Sequence, residues 1–323
     1  MAEALVTALP AARTTHLAVV AGLAMGPAVG LGLGRFAYAL LLPAMRADLG
    51  WSYAQAGAIN TANAAGYLIG ALLAAPLAAW LGDKRAFLAG LALATVSLLA
   101  NGGSGDYAVL VVLRALAGAA GAVSLITGGA LASAAGGGGG RGRPALALGV
   151  YFGGAGFGMV VSAAAVPAMV AALGWRTGWL VLGLLGVAAT LAALPALMRT
   201  PDVTMGEAVR GPALSVRSIR GLPAILVSYV LFGAGYIAYT TFIVAYLRTT
   251  LGFGAADVTL FWGCAGVAAT GAGLLWGPLL SRLAGGRAVA LANAVVMLGP
   301  CCRCCSRCEQ RCSSRQWCSV ARS

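Results

Sequence analysis

Long apolar runs, one after another with only short polar breaks, constrain this chain more than any other feature. A segment needs about 20 apolar residues to cross a hydrocarbon core ~30 Å thick. Runs approaching or exceeding that length are predicted at Leu17–Leu42, Ala56–Leu81, Ala86–Ala100, Tyr107–Ala134, Leu146–Ala171, Trp179–Leu197, Pro223–Tyr246 and Val258–Leu283. A ninth, Ala288–Leu298, stops early. Backbone in lipid must satisfy its own hydrogen bonds, so runs of this length can only be helices. Only 9% of residues are charged, against about 25% in soluble domains, so most of the surface must face lipid. The predicted fold is an all-α integral membrane bundle.

The breaks carry turn signals at Asp48–Tyr53, Asn101–Asp106 and Gly136–Pro144. The longest, 199–222, is polar and separates six helices (1–198) from a partial second half (223–300). No cleavable signal peptide is evident, because the first run is too long and continues into further spans. The net charge of +13 could suggest nucleic acid, but the basic residues are dispersed among short loops. With the N-terminus cytoplasmic, the inside segments hold eleven Lys and Arg, including Arg13, Lys84 and Arg85. The outside loops hold only Arg46, Arg176 and Arg248. The positive-inside rule therefore predicts an N-in, multi-pass protein. Its expected partners are membrane lipid and a small-molecule solute, not nucleic acid, and a monomer is expected.

An internal repeat supports two halves. Arg46, Leu49, Gly50 and Trp51 recur 202 residues later as Arg248, Leu251, Gly252 and Phe253. The same shift places Pro76, Leu77, Leu81 and Arg85 on Pro278, Leu279, Leu283 and Arg287. Six helices repeated in one orientation is a transporter plan.

Several motifs, together with this segmentation and repeat, resemble the major facilitator superfamily over residues 15–298. Arg114-Ala115-Leu116-Ala117-Gly118-Ala119-Ala120-Gly121 resembles that family's helix-four motif. The stretch from Pro76 to Gly82, Asp83, Lys84 and Arg85 is similar to its gating loop, although Ala79 replaces the usual acid. Gly149, Gly153, Gly154 and Gly156 resemble the antiporter glycine motif of helix five, with Gly154 where proline is usual. Gly174-Trp175-Arg176-Thr177-Gly178-Trp179 resembles the start of helix six, and Gly34-Arg35-Phe36 an uncharacterised bacterial branch. The resemblance implies a secondary transporter working by alternating access in the bacterial inner membrane. It also implies that helices three, six and nine are peripheral.

Polar residues within spans mark the candidate path, since they are costly in lipid. Asn60, Asn63 and Tyr67 share one face of helix two, and Tyr229, Tyr236 and Thr240 one face of helix seven. They predict either cavity lining or hydrogen bonding between helices. Arg35, with Tyr38 three residues on, and Arg114 are intramembrane arginines, while every Asp and Glu falls in a loop, end or tail. Three readings follow: an anionic solute pairs with one of them, partners lie in further helices, or each bonds backbone carbonyls. Gly118, Gly121, Gly149, Gly153 and Gly156 are expected to be helix-packing positions. His16 is the sole histidine, and no coupling residue, cofactor or metal site is predicted. An embedded enzyme would need catalytic acids or ligands that the spans lack.

The segment 301–323 differs in character, holding seven of the eight cysteines with five arginines. A repeated TGC codon reads as Leu or Ala codons in its other frames, so this tail is expected to be an out-of-frame helix continuation rather than a metal site. On that expectation helices ten to twelve are missing, and a non-functional remnant of a transporter is the alternative.

Overall fold

A computed structural model describes residues 16–136, 143–200 and 222–280. The ninth run, nearly all of the 199–222 connection and the Cys-rich tail lie outside the described residues. Those described, through Pro278, belong to one compact unit.

Eight helical segments follow one another among the described residues. They are α1 (His16–Asp48), α2 (Tyr53–Leu81), α3 (Asp83–Asn101), α4 (Tyr107–Gly136), α5 (Arg143–Leu173), α6 (Trp175–Arg199), α7 (Leu222–Leu251) and α8 (Ala255–Leu280). Six of these, α1, α2 and α4 to α7, are apolar and long enough to span a bilayer by length and composition. The shortest, α3, is 19 residues and begins with Asp83, Lys84 and Arg85. Large apolar side chains such as Leu72, Trp80, Leu184 and Met198 point outward, as lipid-facing residues do.

Glycine sets the tight turns. Gly82 and Gly174, both at φ +83°, join α2 to α3 and α5 to α6 with one non-helical residue each. That left-handed conformation costs glycine little. The two sequence-related loops also match in detail. Gly50 has φ +65° and Gly252 has φ +69°. The following helices start 202 residues apart, at Tyr53 and Ala255. Each is capped by an acceptor reaching back to the backbone N–H of the preceding residue. The Ser52 N–H donates to Gln55 Oε1 at 2.9 Å, and the Gly254 N–H donates to Asp257 Oδ2 at 2.9 Å. The Gln55/Asp257 correspondence was not legible as a residue match because the two side chains differ; their shared role is to accept at an N-terminus.

Close approach of backbones holds the bundle together. Gly66 and Gly70 of α2 face Ala115 and Ala119 of α4 so tightly that a Cβ would overlap their carbonyl oxygens. Helix α1 is wedged between α4 and α5: a Cβ on Gly30 would lie 3.1 Å from Gly121 Cα, and one on Gly32 2.6 Å from Gly158 Cα. Ala28–Phe36 is wound as a π-helix, with the Ala37 N–H bonded to the Gly32 carbonyl at 3.1 Å. π segments often mark functional positions, and Arg35 stands at the end of this one.

Candidate functional site

Arg114 is fully buried, and its surroundings explain how a membrane tolerates it. One guanidinium nitrogen donates to the Gly34 carbonyl of α1, where the π pitch gives way to α. The guanidinium carbon lies 5.1 Å from the Tyr38 ring centroid and 5.3 Å from that of Trp179. Tyr38 is itself held by donating its hydroxyl to the Ala56 carbonyl at 2.8 Å. Helices α1, α2, α4 and α6 therefore meet around one cation. Its Nε and Nη2 have no hydrogen-bond partner among the described residues, so the ring faces are their main compensation.

Arg35 behaves differently. It is half-buried and forms no hydrogen bond or ion pair among the described residues; its guanidinium carbon lies 5.7 Å from the Tyr67 ring centroid. The sequence spacing put Arg35 and Tyr38 on one face, but they face different partners, Tyr67 for Arg35 and Arg114 for Tyr38. The change from π to α winding between them alters the angular step that an α-helical spacing assumes.

The polar stripe of α2 divides among three neighbours. Asn60 donates to Thr241 Oγ1 of α7 at 2.6 Å, Asn63 donates to the Arg114 carbonyl at 3.0 Å, and Tyr67 meets Arg35. On α7, Tyr236 sits edge-on to Phe36 with centroids 6.1 Å apart and stacks on Phe232 at 5.7 Å. Thr240 bonds back to the Tyr236 carbonyl at 2.8 Å, and Tyr229 is 62% exposed with no part in the cluster. The buried partner on α7 is Thr241, one residue beyond the stripe read from sequence.

The glycines of α5 divide between two helices. Gly149, Gly153 and Gly156 face α8, where Cβ atoms on Gly273 and Gly156 would lie 2.6 Å and 2.5 Å from the Gly149 and Gly266 carbonyl oxygens. Gly154 packs instead on Ala24 of α1. On α4, Gly118 faces Asn63 and Gly121 faces Gly30.

This arrangement, with a buried arginine on the fourth helix, spaced glycines beside it and a glycine-faced fifth helix, agrees with a match to known proteins. A family model described as "Uncharacterised MFS-type transporter YbfB" matches residues 27–303. The chain belongs to this family. It is thus a multi-pass membrane protein of a transporter family, surrounded by lipid. A curated protein, the chloramphenicol resistance protein of Streptomyces lividans, is 31% identical over 229 residues, which cover 69% of this chain and 57% of that protein. The chain spans little more than half the length of that relative.

Within this MFS-type chain, the residues that resemble a gating loop form the α2–α3 turn. Gly82 supplies the bend, Asp83 is buried in the first turn of α3, Lys84 is half-buried and Arg85 is exposed. An acid in a first turn is favoured by the helix dipole. Among the described residues no three metal-ligating side chains gather. Three residues that contact the candidate residues were not legible as such in the sequence: Trp179 against Arg114, Thr241 against Asn60 and Phe36 against Tyr236. Trp179 lies inside the quoted Gly174–Trp179 motif, at the start of the apolar run Trp179–Leu197, where no polar neighbour marks it.

A further contact ties α1 to α6. Trp175 Nε1 donates to Asp48 Oδ2 at 2.8 Å, and Arg176 pairs with the same oxygen at 3.6 Å. The ion pair is about half exposed and contributes little. The indole bond is part-buried, so Trp175→Phe is expected to lower stability by about 1 kcal/mol. Denaturant titration in detergent checks this, and an unchanged midpoint would contradict it.

Proposed function

We propose that this chain is the substrate-binding part of a secondary transporter that moves a small organic anion across the bacterial inner membrane by alternating access, N-terminus inside. Arg35 carries the reading: it is an intramembrane arginine whose guanidinium has no hydrogen-bond acceptor among the described residues. Such a group is retained at a cost and is suited to a solute's negative charge. Arg114, enclosed by two rings and a carbonyl, is a structural cation in this reading. The eleven-to-three Lys and Arg bias supports the orientation. A second reading, export of an uncharged aromatic drug, is favoured by the aromatic surroundings of Phe36 and Tyr236 and by the resistance relative's name.

The test is counterflow in proteoliposomes carrying the full chain, with a panel of radiolabelled carboxylates and their neutral amides. At least one carboxylate should show saturable uptake that Arg35→Gln lowers about 10- to 100-fold, the value of a charge-assisted bond. Uptake of neutral amides alone, indifferent to Arg35→Gln, would overturn the anion reading.

A further inference from the structure

We infer that the solute recognised at Arg35 is an aromatic monocarboxylate, its carboxylate on the Arg35 guanidinium and its ring against Tyr236 and Phe232. The inference rests on the proposed anion reading and narrows it. One ring meets the unpaired Arg35 directly, and three more gather where α7 meets the Arg35–Phe36 stretch of α1. Tyr67 of α2 lies under the guanidinium, Phe36 of α1 follows Arg35 directly, and Phe232 and Tyr236 come from α7. Tyr236 meets the ring of Phe36, the residue that follows Arg35, with centroids 6.1 Å apart, so the rings of α7 reach the same part of α1 as the cation.

The contact of Tyr236 with Phe36 shows that this side of α7 faces α1. Even so, Phe232 and Tyr236 remain 39% and 38% exposed. Their rings are nearly parallel, at 10°, and that of Tyr236 is set edge-on to Phe36, at 90°. A further ring can join such a group stacked or edge-on, since both geometries are favourable.

The charge count selects a monoanion. A guanidinium fork matches one carboxylate with two parallel bonds. The other nearby cation, Arg114, is fully buried and already committed to Gly34, Tyr38 and Trp179. A dianion or phosphate would bring a second charge with no second cation to meet it among the described groups. A saturated chain of the same size would satisfy Arg35 but forgo the ring contacts.

Equilibrium binding to the full chain in lipid nanodiscs tests both halves of this inference with four probes: benzoate, cyclohexanecarboxylate, benzamide and chloramphenicol. Benzoate should bind most tightly, cyclohexanecarboxylate about fivefold more weakly, and the two uncharged aromatics at least tenfold more weakly. Arg35→Gln should erase the gap between benzoate and benzamide. Tyr236→Leu should erase the gap between benzoate and cyclohexanecarboxylate while leaving the benzamide gap in place. Equal binding of the saturated and aromatic acids, both sensitive to Arg35→Gln, would overturn the aromatic assignment and spare the anion reading. Binding of benzamide or chloramphenicol as tight as benzoate, indifferent to Arg35→Gln, would overturn both, as would no binding of any acid to a monodisperse wild-type protein.

Discussion

Gly118→Leu is expected to prevent α2 and α4 from docking, whereas Gly129→Ala in the same helix should leave the fold intact. A Cβ on Gly118 would overlap the Asn63 carbonyl oxygen and lie 2.9 Å from the Tyr67 backbone nitrogen. Both are main-chain atoms of a helix and cannot swing aside as a side chain can. The same seam holds Gly66 against Ala115 and Gly70 against Ala119, and the Asn63 amide crosses it to the Arg114 carbonyl. Small residues along such a seam are the usual basis of helix association in lipid, where the hydrophobic effect no longer drives helices together. Overpacking costs typically 1–3 kcal/mol, and the upper end or beyond applies where backbone blocks the way. That is a large part of a total stability of about 5–15 kcal/mol. At Gly129 the nearest atom to a Cβ would be Tyr151 Cε1, at 3.6 Å, an ordinary contact. The measurement is the monodisperse fraction in mild detergent followed by denaturant titration. Equal yields and midpoints for the two variants would show that the α2–α4 seam is looser than the geometry implies.

The spans were legible because hydropathy in lipid leaves helices as the only solution for runs of this length. The repeat was legible in Gly50 and Trp51 because each turn uses a left-handed glycine followed by an aromatic. What remained hidden depends on angles and partners. The glycine-rich stretch Ala28–Phe36 reads equally as α- or π-helix, since glycine adds no side-chain pattern to fix the winding, and the pairing of Tyr38 with Arg114 depends on it. Asn60 and Asn63 share a face by spacing, yet α2 touches α7 and α4 on the two flanks of that face, so one stripe serves two interfaces. Thr240 and Thr241 differ by a single step around the helix, less than periodicity alone can resolve. Trp179 has no polar pattern around it and becomes a partner of Arg114 only because α6 packs beside that residue.

Arg114→Lys is expected to damage the protein more than Arg114→Met, although lysine keeps the charge. The guanidinium is accommodated by its shape: it lies against the Tyr38 and Trp179 rings and gives one N–H to Gly34, with nothing left exposed. An ammonium is compact and strongly hydrated, cannot lie flat on a ring, and would be buried without equivalent contacts. Burying such a charge costs several kcal/mol or forces its neutralisation. Methionine brings no charge and packs well against aromatic rings. It leaves the Gly34 carbonyl without its side-chain donor, at about 1–3 kcal/mol. Both variants should therefore fall below wild type in denaturant midpoint, with lysine lower than methionine by about 2 kcal/mol. Benzoate binding, measured on the folded fraction of each variant, separates structure from recognition. If Arg114 is a structural cation, affinity per folded molecule stays within a few-fold of wild type in both. If it pairs with the solute, lysine retains part of the affinity, methionine loses it, and the stability order no longer predicts the binding order. Arg35 would then no longer be the sole anion-binding cation among the described residues.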